Sequence, residues 1–206
     1  ATMERPELDA VQRLALRHMM GADVERLSTF IDDVVEASRI APGLRSQMLA
    51  DVSLAELTRE SAATVAGRYE LPRDAISLEV PADLRIMTDR TAIDTVLKNL
   101  LDNAVRYAPR GGKVVAWGRV EGDVIEIAVG NNGPPVPEGD RQSIFGRYFR
   151  IEARRAGARA GRGLGLYFCK LAIEVQGGSI AVEQRGELGA VFVVRLPRVA
   201  RASTSP

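Results

Sequence analysis

The sequence predicts an α+β fold: a two-layer sandwich with helices on one face of a mixed sheet, preceded by a long N-terminal helix. Three observations carry this. An amphipathic stripe opens the chain, strand-like stretches recur between residues 75 and 196, and further amphipathic helices are interleaved with those strands. At 206 residues and 46% hydrophobic, the chain is able to bury a core and is too apolar to be wholly disordered.

Residues 6 to about 40 read as one helix. Val24, Leu27, Ile31, Val34 and Ser38 recur at spacings of three and four, and Phe30 and Val35 widen the stripe. Ala41-Pro42-Gly43 ends it. Such a seam wants a partner helix, so this segment either pairs with a second copy or has lost its neighbour. Beyond it, 54–68 reads as a helix, 75–80 as a strand and 85–87 as a short strand. Residues 91–107 form a strong amphipathic helix through Ile93, Val96, Leu97, Leu100, Leu101 and Ala104, closed by Pro109-Arg110-Gly111-Gly112. Strands 113–120 and 124–129 flank a turn at Glu121-Gly122-Asp123. Residues 130–140 and 151–162 read as loops, 164–176 as a helix stopped by Gly177-Gly178, and 179–184 with 190–196 as a final hairpin. Three regions follow: a helical segment 1–45, a sandwich domain 46–198, and a disordered tail 199–206.

Composition removes several functions. With 28 Lys+Arg against 27 Asp+Glu, the net charge of +1 gives no global attraction to nucleic acid or to an anionic membrane. The lone Cys169 excludes an intramolecular disulfide and a multi-cysteine metal site, and suits a reducing compartment. The lone His18 excludes a His–His zinc pair. No charge-free run of about 18 apolar residues exists, so this segment is expected outside the membrane. The first six residues lack a signal-peptide core, and the expected location is cytoplasmic.

Four segments carry polar or glycine residues that a core does not require. In the first, Asn99 and Asn103 are four apart on one helical face, with Arg106 and Tyr107 a turn further. Each asparagine alone is equally at home on a solvated face. The second, Gly130-Asn131-Asn132-Gly133-Pro134-Pro135-Val136-Pro137, follows a strand and taken alone is a turn. The third, Phe145-Gly146-Arg147-Tyr148-Phe149-Arg150, places two aromatics four apart beside a loop. The fourth, Gly161-Arg162-Gly163-Leu164-Gly165-Leu166, opens a helix, where free backbone N–H groups and the dipole favour an anion. It lacks the Gly-Lys-Ser/Thr ending of a Walker loop and the spacing of the dinucleotide fingerprint.

In order and spacing these segments resemble the N box, first glycine box, F box and second glycine box of sensor histidine kinases, within the GHKL superfamily of Bergerat-fold ATPases. Residues 27–39 likewise resemble the second helix of a kinase dimerisation domain. The resemblance implies that Asn103 and Asn99 hold Mg²⁺ bridging the ATP phosphates, that Arg106 contacts phosphate, and that Tyr107 packs near the nucleoside. It places Asn131 and Gly133 at the adenine, and Gly161, Gly163, Leu164 and Gly165 along the phosphates. Residues 151–160 become an ATP lid whose base Phe145 and Phe149 anchor. Amide oxygens suit this role, being hard ligands that add no charge. Residues 141–162 carry seven arginines against one glutamate, a local +6. That charge serves attraction of phosphate or docking of an acidic response regulator.

Two positions depart from the family. Asn131 replaces the usual Asp that accepts from the adenine amino group, and Pro135 replaces a glycine. A neutral acceptor gives no charge assistance, so weaker ATP binding is expected. His18, followed by Met19-Met20-Gly21, lacks the acidic residue and proline that follow a phosphoacceptor. The acceptor is therefore expected upstream, on a first helix that precedes this segment, or else the parent protein lacks a usable acceptor. The resemblance implies transfer of the ATP γ-phosphoryl to a histidine and on to a response-regulator receiver domain, within a homodimer. The alternative is a degenerate kinase serving as a signalling scaffold. No side chain of this domain is assigned as a catalytic nucleophile or base.

Overall fold

The computed structural model describes residues 49–72, 74–149 and 163–198. The expected N-terminal helix, the expected lid with Gly161, and the tail lie outside the described residues.

Two helices leave from opposite ends of one small ribbon. Strand β1 (Leu49–Ser53) pairs antiparallel with β3 (Arg85–Asp89), with Leu49 facing Asp89 and Ser53 facing Arg85. Each strand ends on a capping residue. Ser53 Oγ accepts from the Glu56 N–H to start α1 (Leu54–Arg68). Asp89 Oδ1 accepts from the N–H groups of Thr91 and Ala92, at 2.9 and 3.1 Å, to start α2 (Arg90–Tyr107). Polar pairs then pin α1 along α2: Ser61 Oγ donates to Asp94 at 2.9 Å, and Arg68 reaches Asp102 at 3.0 Å.

The main sheet adds β2 (Ile76–Glu79), β4 (Val114–Glu121), β5 (Val124–Asn131), β6 (Ser179–Arg185) and β7 (Leu188–Pro197), in the order β2-β4-β5-β7-β6. The β2–β4 pair is parallel and the others antiparallel, so the sheet is mixed as expected. Period-two alternation turns Ala116, Ile127, Val129, Phe192, Val194 and Leu196 toward the helices. They meet Val65 of α1, Leu97, Leu100, Leu101 and Ala104 of α2, and Ile173 of α3 (Gly165–Val175). Truncating a fully buried leucine such as Leu100 costs about 2–5 kcal/mol.

The opposite sheet face carries its own cover. Ala128, Val191 and Val193 are fully buried there beneath Trp117 and Leu188. Glu126, also fully buried, receives Arg119, Arg185 and Arg195, each at 2.9 Å. Arg185 lies 5.8 Å from the centre of the Trp117 ring, so guanidinium stems and an indole form a lid over the sheet.

Several boundaries differ from expectation for physical reasons. β1 was not predicted because only Val52 and Ser53 of its five residues are buried; the ladder with β3 holds it, not an apolar alternation. β3 runs on to Asp89 because Gln176, at the end of α3, bonds both the Thr88 hydroxyl and the Asp89 N–H. Gly130 and Asn131, expected in a loop, stay in strand because β4 and β7 pair with them from both sides. Two short 3₁₀ turns, Glu138–Asp140 and Ser143–Phe145, interrupt the loops. Among the described residues, no helix is long and apolar enough to cross a membrane.

Candidate nucleotide site

Helix α2 forms the floor along which the predicted segments converge. Asn99 Nδ2 donates to the Thr95 carbonyl at 3.2 Å, which leaves its Oδ1 beside the start of α3. The approach is close: a Cβ on Gly165 would stand 2.9 Å from Asn99 Oδ1. One turn on, half-buried Asn103 shares that helical face. At the far end of α2, the loop after β5 packs on the last turn. A Cβ on Gly133 would stand 2.2 Å from the Tyr107 carbonyl oxygen. The eight steps of helical rise from Asn99 to Tyr107 span about 12 Å.

Asn131 is buried at 1% exposure, and its Oδ1 accepts from the Gly133 N–H at 2.7 Å. One lone pair is thus committed to shaping the loop. Asn132 secures the other side of the loop, accepting from the Lys113 N–H at 2.8 Å.

The aromatic segment and the second glycine segment meet at their backbones. Phe145 is buried and packs edge-on against Phe192 at 6.4 Å, while Phe149 lies against the core. The Tyr148 N–H donates to the Gly163 carbonyl at 3.0 Å. Gly163 has φ +73, and a Cβ there would stand 2.6 Å from the Phe149 carbonyl oxygen, so this crossing requires glycine. Arg147 stacks on Tyr167 of α3 at 4.8 Å. Tyr148 and Phe149 are therefore held directly against Gly163. Leu164 is buried at the start of α3, an eleven-residue helix whose free N–H groups face outward from Gly165.

Arg106 adopts a position that sequence reasoning did not anticipate. Its Nη2 lies 2.7 Å from Asp102 Oδ2, while Asp102 Oδ1 accepts from Arg68 Nη1 and from the Tyr69 hydroxyl, each at 3.0 Å. Burial, chiefly, pushes the Tyr69 phenol above its ordinary value, so it remains a neutral donor. Burial opposes the Arg106 charge, but the Tyr69 hydrogen bond and the Asp102 carboxylate outweigh it and raise its pKa. The Asp102–Arg106 spacing of four was a legible signal. The partnership with Arg68 and Tyr69, from another helix, was not.

Asn99 with Gly165, Asn131 with Gly133 and Tyr107, and Gly163 with the aromatic segment are thus brought together. These residues fit Mg²⁺ and a nucleotide: two amides on one face supply hard oxygens, and both glycine approaches are cradles that a Cβ would fill. Fold and site together define an α+β sandwich of the nucleotide-binding type, with both glycine approaches set against helix α2.

The chain belongs to the histidine kinase-, DNA gyrase B- and HSP90-like ATPases, whose family model matches residues 88–200. It is similar to the alginate biosynthesis sensor protein KinB of Pseudomonas aeruginosa, 33% identical over 196 residues that cover 94% of this chain and 32% of KinB. It is also similar to the sensor-like histidine kinase SenX3 of Mycobacterium tuberculosis (strain H37Rv), 31% identical over 198 residues, 94% of this chain and 47% of SenX3. Among solved structures, histidine kinase ThkA in complex with response regulator protein TrrA matches with a TM-score of 0.69 at 26% identity, over 95% of this chain and 53% of that one. The chain spans a third to a half of the length of these curated relatives. It is an ATP-binding domain of the histidine-kinase type, and nothing among these relatives favours the scaffold alternative.

Proposed function

We propose that this chain is the catalytic part of a sensor kinase, moving the γ-phosphoryl of ATP to a histidine and thence to a receiver domain. The observation that supports it best is the meeting of Asn99 on α2 with Gly165 at the start of α3, together with Gly133 packed on Tyr107 about 12 Å further along α2. Bound Mg²⁺ would supply charge neutralisation on the phosphates. Asn103 and Asn99 would hold that ion through their amide oxygens, Arg106 would contact phosphate, and Gly161, Gly163, Leu164 and Gly165 would offer backbone N–H groups. Asn131 would accept from the adenine amino group beside Tyr107, without charge assistance, giving high-micromolar to millimolar affinity. The domain would act by positioning rather than by a nucleophile of its own.

Two partners follow. A second copy would pair through the seam of 24–38, and a response regulator, as in the ThkA complex, would receive the phosphoryl group. The site of action would be cytoplasmic, with neither nucleic acid nor membrane as a ligand. The test is transfer of radiolabel from γ-labelled ATP to the chain joined to a phosphoacceptor helix, then to a receiver domain. Acid-labile, alkali-stable, Mg²⁺-dependent label supports the reading. Saturable nucleotide binding without any label on histidine would sink it.

A further inference from the structure

Arg106 stands between two claimants. Measured from Asn99, Asn103 lies about 40° one way around α2, whereas Arg106 lies about 20° and Asp102 about 60° the other way. The Arg106 stem thus leaves the helix between the amide face and the carboxylate that holds its guanidinium. Asp102 serves two guanidiniums at once: Arg106 on Oδ2, and Arg68 with the Tyr69 hydroxyl on Oδ1. If Arg106 departs it gives up Asp102 Oδ2 and its hydrogen bond with Tyr69, while Arg68 and the Tyr69 hydroxyl stay on the carboxylate, so release strands no charge. The Arg106 side chain is 34% exposed and Asp102 15%, so the arginine has an open path and the carboxylate is anchored.

We infer that Asp102 is a positioning residue that parks Arg106 on the α1 side and yields it to the nucleotide phosphates, with Arg68 and Tyr69 setting how readily it is released. This rests on the reading of Arg106 as a phosphate contact. Nucleotide binding is then an exchange of one anion for another at a single guanidinium. Part of the attraction of the phosphates is spent on removing Arg106 from Asp102. Arg68 competes with Arg106 for the same carboxylate, and so favours release.

The signs separate this device from a merely structural cluster. Calorimetric titration of the full chain with AMPPNP and Mg²⁺ should show Asp102→Asn binding three- to tenfold more tightly, because Arg106 is no longer held. Arg68→Gln, at a side chain 60% exposed, should bind about threefold more weakly, because Arg106 is then the one guanidinium left on Asp102. Arg106→Gln should weaken binding, and in that background both other shifts should vanish. Shifts that persist there are plain charge effects and overturn the inference, as does weaker binding by a folded Asp102→Asn. Unchanged affinity of Arg106→Gln overturns it while leaving the Asn103 site standing. Loss of all saturable binding by the unsubstituted chain removes the functional reading itself.

Discussion

Gly165→Ala separates the needs of the fold from those of the nucleotide site. Gly165 is the first residue of α3 and has no positive φ, so alanine suits its backbone and should stabilise the helix by a few tenths of a kcal/mol, up to about 1. The new Cβ would meet Asn99 Oδ1 at 2.9 Å, where ordinary contact begins at 3.4 Å. The amide must retreat by about 0.5 Å, or turn off its rotamer at roughly 0.5–1.5 kcal/mol. Stability should therefore change by less than about 1 kcal/mol. Mg²⁺ demands near-ideal octahedral geometry at about 2.0–2.1 Å, and a half-ångström displacement of one ligand is large on that scale. We predict at least a tenfold loss of Mg²⁺-nucleotide affinity, about 1.4 kcal/mol, with the melting temperature within a few degrees of the parent's. Thermal melts and calorimetric titration with AMPPNP test it, and in an Asn99→Ala background the glycine substitution should cost much less. A folded Gly165→Ala protein of undiminished affinity refutes the reasoning.

The remaining predictions concern stability. Glu126→Gln leaves three guanidiniums facing a neutral amide and should cost about 3 kcal/mol, lowering the melting temperature by about 6–12 °C. Burial tends to raise the Glu126 pKa, but the Arg185 hydrogen bond and the charges of Arg185, Arg119 and Arg195 overcome it, holding the carboxyl below its ordinary 4.5. Its contribution is therefore complete above pH 4.5 and fades as the pH falls through the depressed value, so parent and Glu126→Gln melts should converge in acid. Gly133→Ala places a Cβ 2.2 Å from the Tyr107 carbonyl, which is backbone and gives way poorly. Denaturant unfolding should show a loss of about 2–3 kcal/mol, accompanied by weaker nucleotide binding.

The helices and central strands were legible because burial imposes a period on sequence. Leu97, Leu100, Leu101 and Ala104 mark the inner face of α2, and Ile125, Ile127 and Val129 that of β5. β1 escaped because a ribbon held by ladder hydrogen bonds need not alternate. Glu126 reads as an ordinary polar position in an alternating strand; its burial depends on arginines from three other strands, 119, 185 and 195. At the site, the family resemblance singled out Asn99, Asn131, Gly133, Gly163 and Gly165, but the contacts among them, Gly165 with Asn99 and Gly133 with Tyr107, are long-range and arise only on folding. The parking of Arg106 depends on Arg68 and Tyr69, more than 30 residues away, and only folding brings them to Asp102.

In the proposed function, the amide face of α2 binds nucleotide through Mg²⁺. The most direct measurement is AMPPNP titration of the unsubstituted chain and of Asn103→Ala, each with and without Mg²⁺. Saturable binding that depends on Mg²⁺ and collapses by tenfold or more in a folded Asn103→Ala protein is the expected result. Binding that is indifferent to both the metal and Asn103 would contradict it.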